Sequence, residues 1–249
     1  MTGPRILTLD CETSPNVAHV WGLFNQTVSL NQLRESTRVM CWAAKWYGKK
    51  PVEFRSEFHD GHDVVVSRMH RLLDEADAVV HYNGKRFDMP HLYREMLLAG
   101  LTPPSPVQQV DLLQVVRAQF RFTSNKLQHV ATELGLGSKA STGGHELWVK
   151  CMAGNAWAWG QMRKYNKQDV VLTEQLYDKL LPWIKVHPHH GLFDGAAADG
   201  CPNCGSTDRQ KRGFAHTAQS TFQQYRCDGC GKWYRSTKAT DRVVTRSIA

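Results

Sequence analysis

Carboxylates recur in this sequence at spacings that could bring them to one point. Asp10 and Glu12 stand at the end of a short apolar run, 6–10, that is typical of a buried strand. Because side chains two apart on a strand share a face, both carboxylates can point at one spot. Two anions held so close repel each other unless a cation lies between them. Alone, the pair favours an ordinary solvated strand end.

Asp88 is the second candidate, and it begins a predicted helix after a tight Asn83-Gly84 turn. Aspartate is a preferred N-cap, and a proline two residues later suits a first helical turn, so a structural role is one interpretation. The functional interpretation keeps this position but aims the carboxylate at the same cation. Asn83, Gly84 and Phe87 would then line the approach to the site.

Tyr165 and Asp169 lie four residues apart in a long predicted helix. Residues at this spacing share a helix face, so the phenol and the carboxylate project together. The alternatives are a half-buried aromatic anchor and an ordinary exposed helix charge. Asp111, at another predicted strand end, is interpreted as the cap of a short helix over 112–117.

The elements that must position these residues indicate an α/β domain. A first strand is followed by a predicted hairpin, and after that helices and strands alternate, which favours a mixed β-sheet flanked by helices. The predicted strands cover 6–10, 39–44, 52–55, 78–81 and 107–111, and the predicted helices lie near 64–73, 88–100, 126–134 and 161–181.

Taken together and in this order, the three motifs resemble the DEDD superfamily of 3′–5′ exonucleases. They are Asp-x-Glu on the first strand, a turn ending in Asp, and Tyr-x-x-x-Asp on a late helix. The resemblance covers 5–181 and implies a ribonuclease-H-like fold. The tyrosine places it with the DEDDy branch, which includes the proofreading domains of family A and family B DNA polymerases. Tyr82 departs from the smaller residue that many relatives carry before Asn-Gly.

The resemblance implies that Asp10, Glu12, Asp88 and Asp169 hold two Mg²⁺ or Mn²⁺ ions. We expect Asp10 to bridge both, Glu12 and Asp169 to complete one site, and Asp88 to act mainly through water. Tyr165 would orient the attacking water. Hard carboxylate oxygens suit these ions, and two metals can stabilise both the incoming and the leaving oxygen of phosphodiester hydrolysis.

Four of the seven cysteines form two Cys-x-x-Cys pairs, Cys201/Cys204 and Cys227/Cys230. This pattern resembles a zinc ribbon, with one structural Zn²⁺ bound by all four thiolates. A redox role for each pair is the alternative, but it does not explain why there are two. A closed tetrathiolate site leaves no open position for catalysis.

The net charge of +8 is concentrated at the C-terminal end, where 201–249 carry nine Lys/Arg against three Asp. Such a basic module suggests an acidic partner, most often nucleic acid. Aromatic and basic residues interleave in it in a way that suits stacking and phosphate contact: Phe222, Tyr225, Arg226, Lys232, Trp233, Tyr234 and Arg235. The alternatives are a solubilising tail, aromatics that cover a small core, and a protein-docking surface.

These observations predict an exonuclease domain at 1–185, a linker at 186–200, a zinc ribbon at 201–238 and a basic tail at 239–249. The predicted function is metal-dependent 3′–5′ hydrolysis of single-stranded or frayed DNA, with the ribbon assisting binding. The alternatives are a ribonuclease or structure-specific endonuclease on the same scaffold, and an inactive nucleic-acid-binding module. DNA is expected as partner rather than RNA, with replication or repair proteins and no membrane.

A composition of 41% hydrophobic and 22% charged residues excludes a disordered, collagen-like or low-complexity chain. No apolar run approaches the roughly 20 residues that cross a bilayer. The N-terminus lacks the apolar region of a signal peptide. We therefore expect a soluble, cytoplasmic protein of a prokaryotic or phage-infected cell.

Overall fold

The computed structural model describes residues 3–137, 144–193 and 195–246. The chain divides into two compact units, and the division falls inside a long helix. One unit is Arg5–Leu176, and the other is Tyr177–Ala249 together with Met1–Pro4. Among the described helices, none is both long enough and apolar enough to cross a membrane.

The larger unit is built on a five-stranded sheet in the order β5-β4-β1-β6-β7. β4 is antiparallel to β1 and β5, whereas β6 is parallel to β1 and β7, so the predicted mixed sheet is confirmed. Two short strands, β2 and β3, pair with each other in the connection from β1 to β4. The strands are β1 (Ile6–Thr13), β2 (Val17–Ala18), β3 (Leu33–Glu35), β4 (Val39–Trp46), β5 (Glu53–Ser56), β6 (Ala78–His81) and β7 (Gln108–Asp111).

Helices cover both faces of this sheet. The described helices are α1 (Glu57–Asp60), α2 (His62–Glu75), α3 (Asp88–Leu98), α4 (Leu112–Gln119), α5 (Leu127–Glu133), α6 (His145–Met152) and α7 (Ala156–Leu180). Apolar side chains of α2 and α3 pack on one face around Trp42, and those of α6 and α7 pack on the other around Met40 and Cys41. The predicted ribonuclease-H-like layering of helices on a mixed sheet is therefore present.

The alternation of side chains along β1 decides which residues face which layer. Leu7, Leu9 and Cys11 belong to the core shared with α2 and α3. The alternate residues Thr8, Asp10 and Glu12 therefore face the layer that contains α7. Opposite them on β4 stand Ala43 and Cys41, whose small side chains leave space around the two carboxylates.

Three helical segments differ from the prediction, and the shortest of them, the four-residue α1, was not predicted. α7 begins at Ala156, five residues before the predicted start, because the tryptophans that precede Gln161 lie within the helix. α6 was not predicted, since eight residues are too few for a helical period to stand out.

The smaller unit contains a three-stranded antiparallel sheet in the order β10-β9-β8, formed by β8 (Arg209–His216), β9 (Ser220–Cys227) and β10 (Trp233–Arg242). The sequence of 221–226 and 232–235 suits a hairpin, and these two segments correspond to β9 and β10, whereas β8 was not predicted. β10 runs to Arg242, so the predicted ribbon boundary at residue 238 falls inside a strand. Residue 194 of the predicted linker and residues 247–249 of the predicted tail lie outside the described residues.

An ion pair between Lys45 of β4 and Glu174 of α7 ties the helix to the sheet, and only 10% and 15% of the two side chains is exposed. Removing one partner leaves the other charge poorly solvated. We predict that Lys45→Met lowers the free energy of unfolding by about 2 kcal/mol and that Lys45→Met/Glu174→Leu restores most of it. Urea denaturation followed by circular dichroism measures both values.

The control is Lys49→Met in the exposed turn after β4, which should change stability by less than about 0.5 kcal/mol. Equal losses in the single and double variants would show that the cost does not come from leaving the Glu174 carboxylate without its cation.

Candidate active site

Asp10, Glu12 and Asp169 converge, and one carboxylate oxygen from each lies within 4.8 Å of the others. β1 presents the first two from a single face, and α7 supplies the third. The helix is held there because Met162 and Tyr165 pack against the same face of the sheet. The structure thus brings together three of the four carboxylates that the sequence singled out.

Asp88 is the first residue of α3, and its side chain is directed at β1. Its Oδ1 accepts a hydrogen bond of 2.8 Å from the backbone N–H of Cys11, the residue between Asp10 and Glu12. α3 has no side-chain cap, so the interpretation of Asp88 as an N-cap is wrong. Burial raises the pKa of the Asp88 carboxyl to about 6, against the opposing effect of the Cys11 N–H. Asp88 therefore adjoins the three-carboxylate group without belonging to it.

Tyr165 is buried beside these carboxylates, with its ring roughly perpendicular to that of Trp148 at a centroid distance of 6.0 Å. Burial raises the pKa of its phenol, and the negative charges of Glu12 and Asp169 raise it further. The hydroxyl is therefore protonated in neutral solution, and it is hydrogen-bonded with Asp169.

Asn166 is a site residue that the sequence analysis missed. It is fully buried, and its Nδ2 donates to Asp10 Oδ2 at 2.6 Å and to the Asp10 backbone carbonyl at 3.2 Å. The amide thereby fixes the orientation of one carboxylate. Its position three residues before Asp169 places it on the same helix face, which was the available signal. Its partner lies 156 residues earlier in the chain.

The turn that leads to Asp88 is held by side chains of two strands. Asn83 adopts a left-handed conformation with φ 71°, and the N–H of Gly84 donates to His81 Nδ1 at 3.1 Å. Asp111 Oδ1 accepts from the N–H of Leu113 at 3.0 Å, which confirms its predicted role as the cap of α4. The same oxygen accepts from the N–H of Asn83 at 2.9 Å, so one carboxylate secures both a helix and the turn.

The three predicted substrate-contacting residues occupy different environments. The Phe87 side chain is 40% exposed and makes an edge contact with His91 at 4.8 Å. Asn83 is partly exposed, whereas Gly84 is buried. Gly84 lies so close to His81 that an added Cβ would be 2.3 Å from its Cγ, which explains the glycine structurally. Contact of these residues with a substrate stays a prediction.

The chemistry of the carboxylate group fits a hard divalent cation. Ionised carboxylates are acceptors only, and three of them this close repel one another unless positive charge is placed between them. Mg²⁺ and Mn²⁺ prefer oxygen ligands of this kind. Asp10, Glu12 and Asp169 have the spacing to hold one such ion, and Asp88 is adjacent to it in space.

In the smaller unit, Cys201, Cys204, Cys227 and Cys230 place their sulfurs within 4.8 Å of one another. The Cys201–Cys230 and Cys204–Cys227 Sγ distances are 3.7 and 3.6 Å. A disulfide would need about 2.05 Å, whereas a tetrahedral zinc with Zn–S bonds of about 2.3 Å places sulfurs about 3.8 Å apart. The cluster therefore fits Zn²⁺ and is compatible with a zinc ribbon.

Two glycines complete the loops that carry these thiols. Gly205 and Gly231 have φ values of 75° and 81°, and their N–H groups donate to the carbonyls of Cys201 and Cys227. A left-handed residue at each position turns the chain back after the second cysteine of the pair. This geometry directs the thiols of both pairs to one point.

Two comparisons with known proteins found similarities. The model of the RNase_H superfamily matches residues 31–181, more than half of the chain, and this range excludes β1. The solved structure of the family B DNA polymerase from the hyperthermophilic archaeon Pyrobaculum calidifontis has a similar fold, with a TM-score of 0.55 at 20% identity. The similarity covers 72% of this chain and 25% of the polymerase chain, so this chain spans about a quarter of it. No curated protein matches the sequence.

Gly84→Ala tests whether the close approach of His81 requires a glycine at this position. Because His81 is buried and cannot move away freely, we predict a loss of about 1–3 kcal/mol in the free energy of unfolding. Gly160→Ala is the matched control, since an added Cβ there in α7 meets nothing within 4 Å. The control should gain up to about 1 kcal/mol. Thermal unfolding of both variants measures the difference, and equal behaviour would contradict this account.

Zinc content tests the four-cysteine cluster. We predict one Zn²⁺ per chain after purification and its loss in Cys227→Ser, because three thiolates and a hydroxyl bind the ion far more weakly. Inductively coupled plasma mass spectrometry measures the stoichiometry. Cys151→Ser is the control, since that buried thiol lies in the larger unit, and it should retain the metal. Retention of zinc by Cys227→Ser would contradict the assignment.

Proposed function

The chain belongs to the RNase_H superfamily, and we propose that it is a metal-dependent 3′–5′ exonuclease acting on single-stranded or frayed DNA. The observation that carries this proposal is the convergence of Asp10, Glu12 and Asp169 beside the Tyr165 phenol. These side chains come from a central strand and a facing helix, and Asp88 is bound to the same strand. Such a constellation suits hydrolysis of a phosphodiester, because these carboxylates can bind cations that offset the negative charge of a nucleic-acid backbone.

The metal ligands in this proposal are the four carboxylates. Asp10, Glu12 and Asp169 would bind directly, and Asp88 mainly through water. Two Mg²⁺ or Mn²⁺ ions, when bound, would supply positive charge at the attacking and leaving oxygens. Asn166 contributes by donating to Asp10 Oδ2, which fixes the orientation of that carboxylate.

Tyr165 would orient the attacking water. Its protonated phenol projects from α7 and lies beside Glu12 of β1 and Asp169 of α7. Its O–H can therefore donate to a water held among the same groups. A donor fixed by packing against Trp148 loses little freedom when the substrate binds. The tyrosine thus acts as a positioning group and takes no proton from the water.

Three observations support the finer parts of the proposal. The motif order resembles the DEDDy branch, in which hydrolysis proceeds from the 3′ end. The similarity of fold to a family B DNA polymerase favours DNA. The exposed ring of Phe87, next to Asp88, suits stacking on a terminal base. The basic four-cysteine module, with one structural Zn²⁺, would assist nucleic-acid binding.

A cleavage assay tests this function. Single-stranded DNA and RNA labelled at the 5′ end are incubated with the protein and Mg²⁺ or Mn²⁺, and products are separated on a denaturing gel. We expect a ladder shortened from the 3′ end on DNA that requires added divalent ions. Asp10→Asn should slow cleavage about a thousandfold or more, and Tyr165→Phe about a hundredfold.

The matched control is Asp63→Asn, the same substitution at an exposed position of α2, which should leave the ladder unchanged. Cleavage of RNA but not DNA would favour the ribonuclease alternative, and internal cuts would favour an endonuclease. If neither polymer is cut, the larger unit acts as a binding module, and the proposed activity is wrong.

A further inference from the structure

The three-stranded sheet of the smaller unit has two chemically different faces. Trp233 stands directly opposite Arg226, and Arg235 stands opposite Gln224, so these residues share one face. Phe222, two residues before Gln224, lies on the same face. We call the surface formed by Phe222, Arg226, Trp233 and Arg235 the Trp233 face.

The opposite face carries the other aromatic residues. Tyr225 pairs with Tyr234 in register, and their rings lie 5.5 Å apart. The guanidinium of Arg209 lies 4.9 Å from the Tyr225 ring and forms an ion pair with Asp199. On this side the Tyr225 and Tyr234 rings cover each other, and the cation nearest to them is neutralised, whereas Phe214 is exposed.

On the Trp233 face the aromatic and cationic groups are available. Half of the Trp233 side chain is exposed, and Arg226 and Arg235 are exposed. The guanidinium carbon of Arg235 lies 3.7 Å from the Phe222 ring centroid, which fixes this long side chain at the surface. In the described part of the chain, neither arginine has a carboxylate within ion-pair distance, and nearby Asp228 accepts a hydrogen bond from Gln210.

Lys232 does not belong to this surface, although the sequence groups it with the arginines. Its Nζ donates to the carbonyl of Ile184 at 2.6 Å, so it serves the packing of the smaller unit. Asn203 donates to the same carbonyl and to that of Leu181, which adds to this tie. The fold therefore separates the seven interleaved residues of the sequence into four on the Trp233 face, two on the covered Tyr225–Tyr234 side and one structural lysine.

We propose that the Trp233 face binds single-stranded DNA, with a base stacked on Trp233 and phosphates contacted by Arg226 and Arg235. An exposed indole between unpaired guanidinium groups matches the two parts of a single strand, its flat bases and its anionic backbone. The excess of positive charge in 201–249 favours the same occupant over a neutral apolar partner. The choice of DNA as the polymer rests on the proposed function.

The test measures binding apart from cleavage. Full-length protein carrying Asp10→Asn is titrated, without divalent ions, into fluorescein-labelled oligo(dT) of about 20 nucleotides, and anisotropy is recorded over a range of KCl concentrations. Adding Trp233→Ala should weaken binding about 5- to 100-fold. Arg235→Ala should reduce the slope of log K against log[KCl] by about 0.7, the value for one phosphate contact on a single strand.

The opposite face provides matched controls. Phe214 is 53% exposed and stands opposite Gln223, and Lys211 stands opposite Tyr225, so both point away from the Trp233 face. Phe214→Ala and Lys211→Ala should change affinity less than about twofold. Zinc content and circular dichroism confirm that each variant is folded. If Trp233→Ala loses zinc, two other variants decide whether the Trp233 face binds DNA. They are Trp233→Phe, which should bind within about threefold of the parent, and Arg235→Ala.

Equal losses on both faces, or no loss with Trp233→Ala in folded protein, would overturn the proposal. Tighter binding of oligo(rU) than oligo(dT) would overturn DNA as the occupant. The outcome is separable from that of the cleavage assay. If Trp233→Ala weakens binding but no cleavage ladder is seen, only the proposed function is wrong. If a ladder is seen but Trp233→Ala does not weaken binding, only this inference is wrong.

Discussion

The mutual repulsion of Asp10, Glu12 and Asp169 is the constraint on which the larger unit depends. Three carboxylate oxygens within 4.8 Å of one another cost free energy, on the order of a few kcal/mol for each ionised pair near a protein surface. Side chains on flexible loops would move apart to relieve that cost. Here they cannot, because two of them are fixed on a central strand and the third on a helix packed against it. A rigid group of this kind becomes favourable once a divalent cation is bound, which is the behaviour expected of a metal-dependent enzyme.

The rest of the fold supplies the rigidity. β1 pairs with β6 at Ile6–Thr8 and with β4 through Asp10 and Glu12, so the backbone that carries the two carboxylates cannot shift without breaking its ladder with β4. α7 is held by the Met162 and Tyr165 packing, by the Lys45–Glu174 ion pair and by the Asn166 amide on Asp10. The N–H of Cys11 binds Asp88, which brings the fourth acid to the same strand. Each of these contacts joins parts of the chain that are distant in sequence.

The smaller unit meets a related constraint with sulfur in place of oxygen. Accepting a hydrogen bond from Cys230 lowers the pKa of the Cys201 thiol to about 5, while burial raises that of Cys204 to about 11. Four thiols this close cannot all ionise without a cation among them. Four thiolates and one Zn²⁺ would change the +6 of 201–249 to about +4. The unit therefore stays basic with zinc bound, and its unpaired arginines lie on the face that also exposes Trp233.

Local sequence patterns predicted much of this arrangement, because they depend on interactions between residues that are close in the chain. The short apolar run 6–10 predicted a buried strand with Asp10 and Glu12 at its end, the four-residue spacing joined Tyr165 to Asp169, and the two Cys-x-x-Cys pairs predicted a common site. The strands of the mixed sheet and most helices of the larger unit followed from the same periodicities. β8 and α6 did not, since neither carries a regular pattern over enough residues to stand out.

By itself, the sequence determined which acids and thiols could act and which elements carry them. Only the tertiary structure decided that Asn166 holds Asp10, that Asp111 secures the Asn83 turn as well as α4, and that Asp88 bonds to Cys11 instead of capping its helix. It also decided which aromatic residues of the smaller unit remain exposed. These outcomes depend on strand register and on contacts between residues far apart in the chain. Such contacts form only when packing and hydrogen bonding bring the elements together, so no local period of the sequence encodes them.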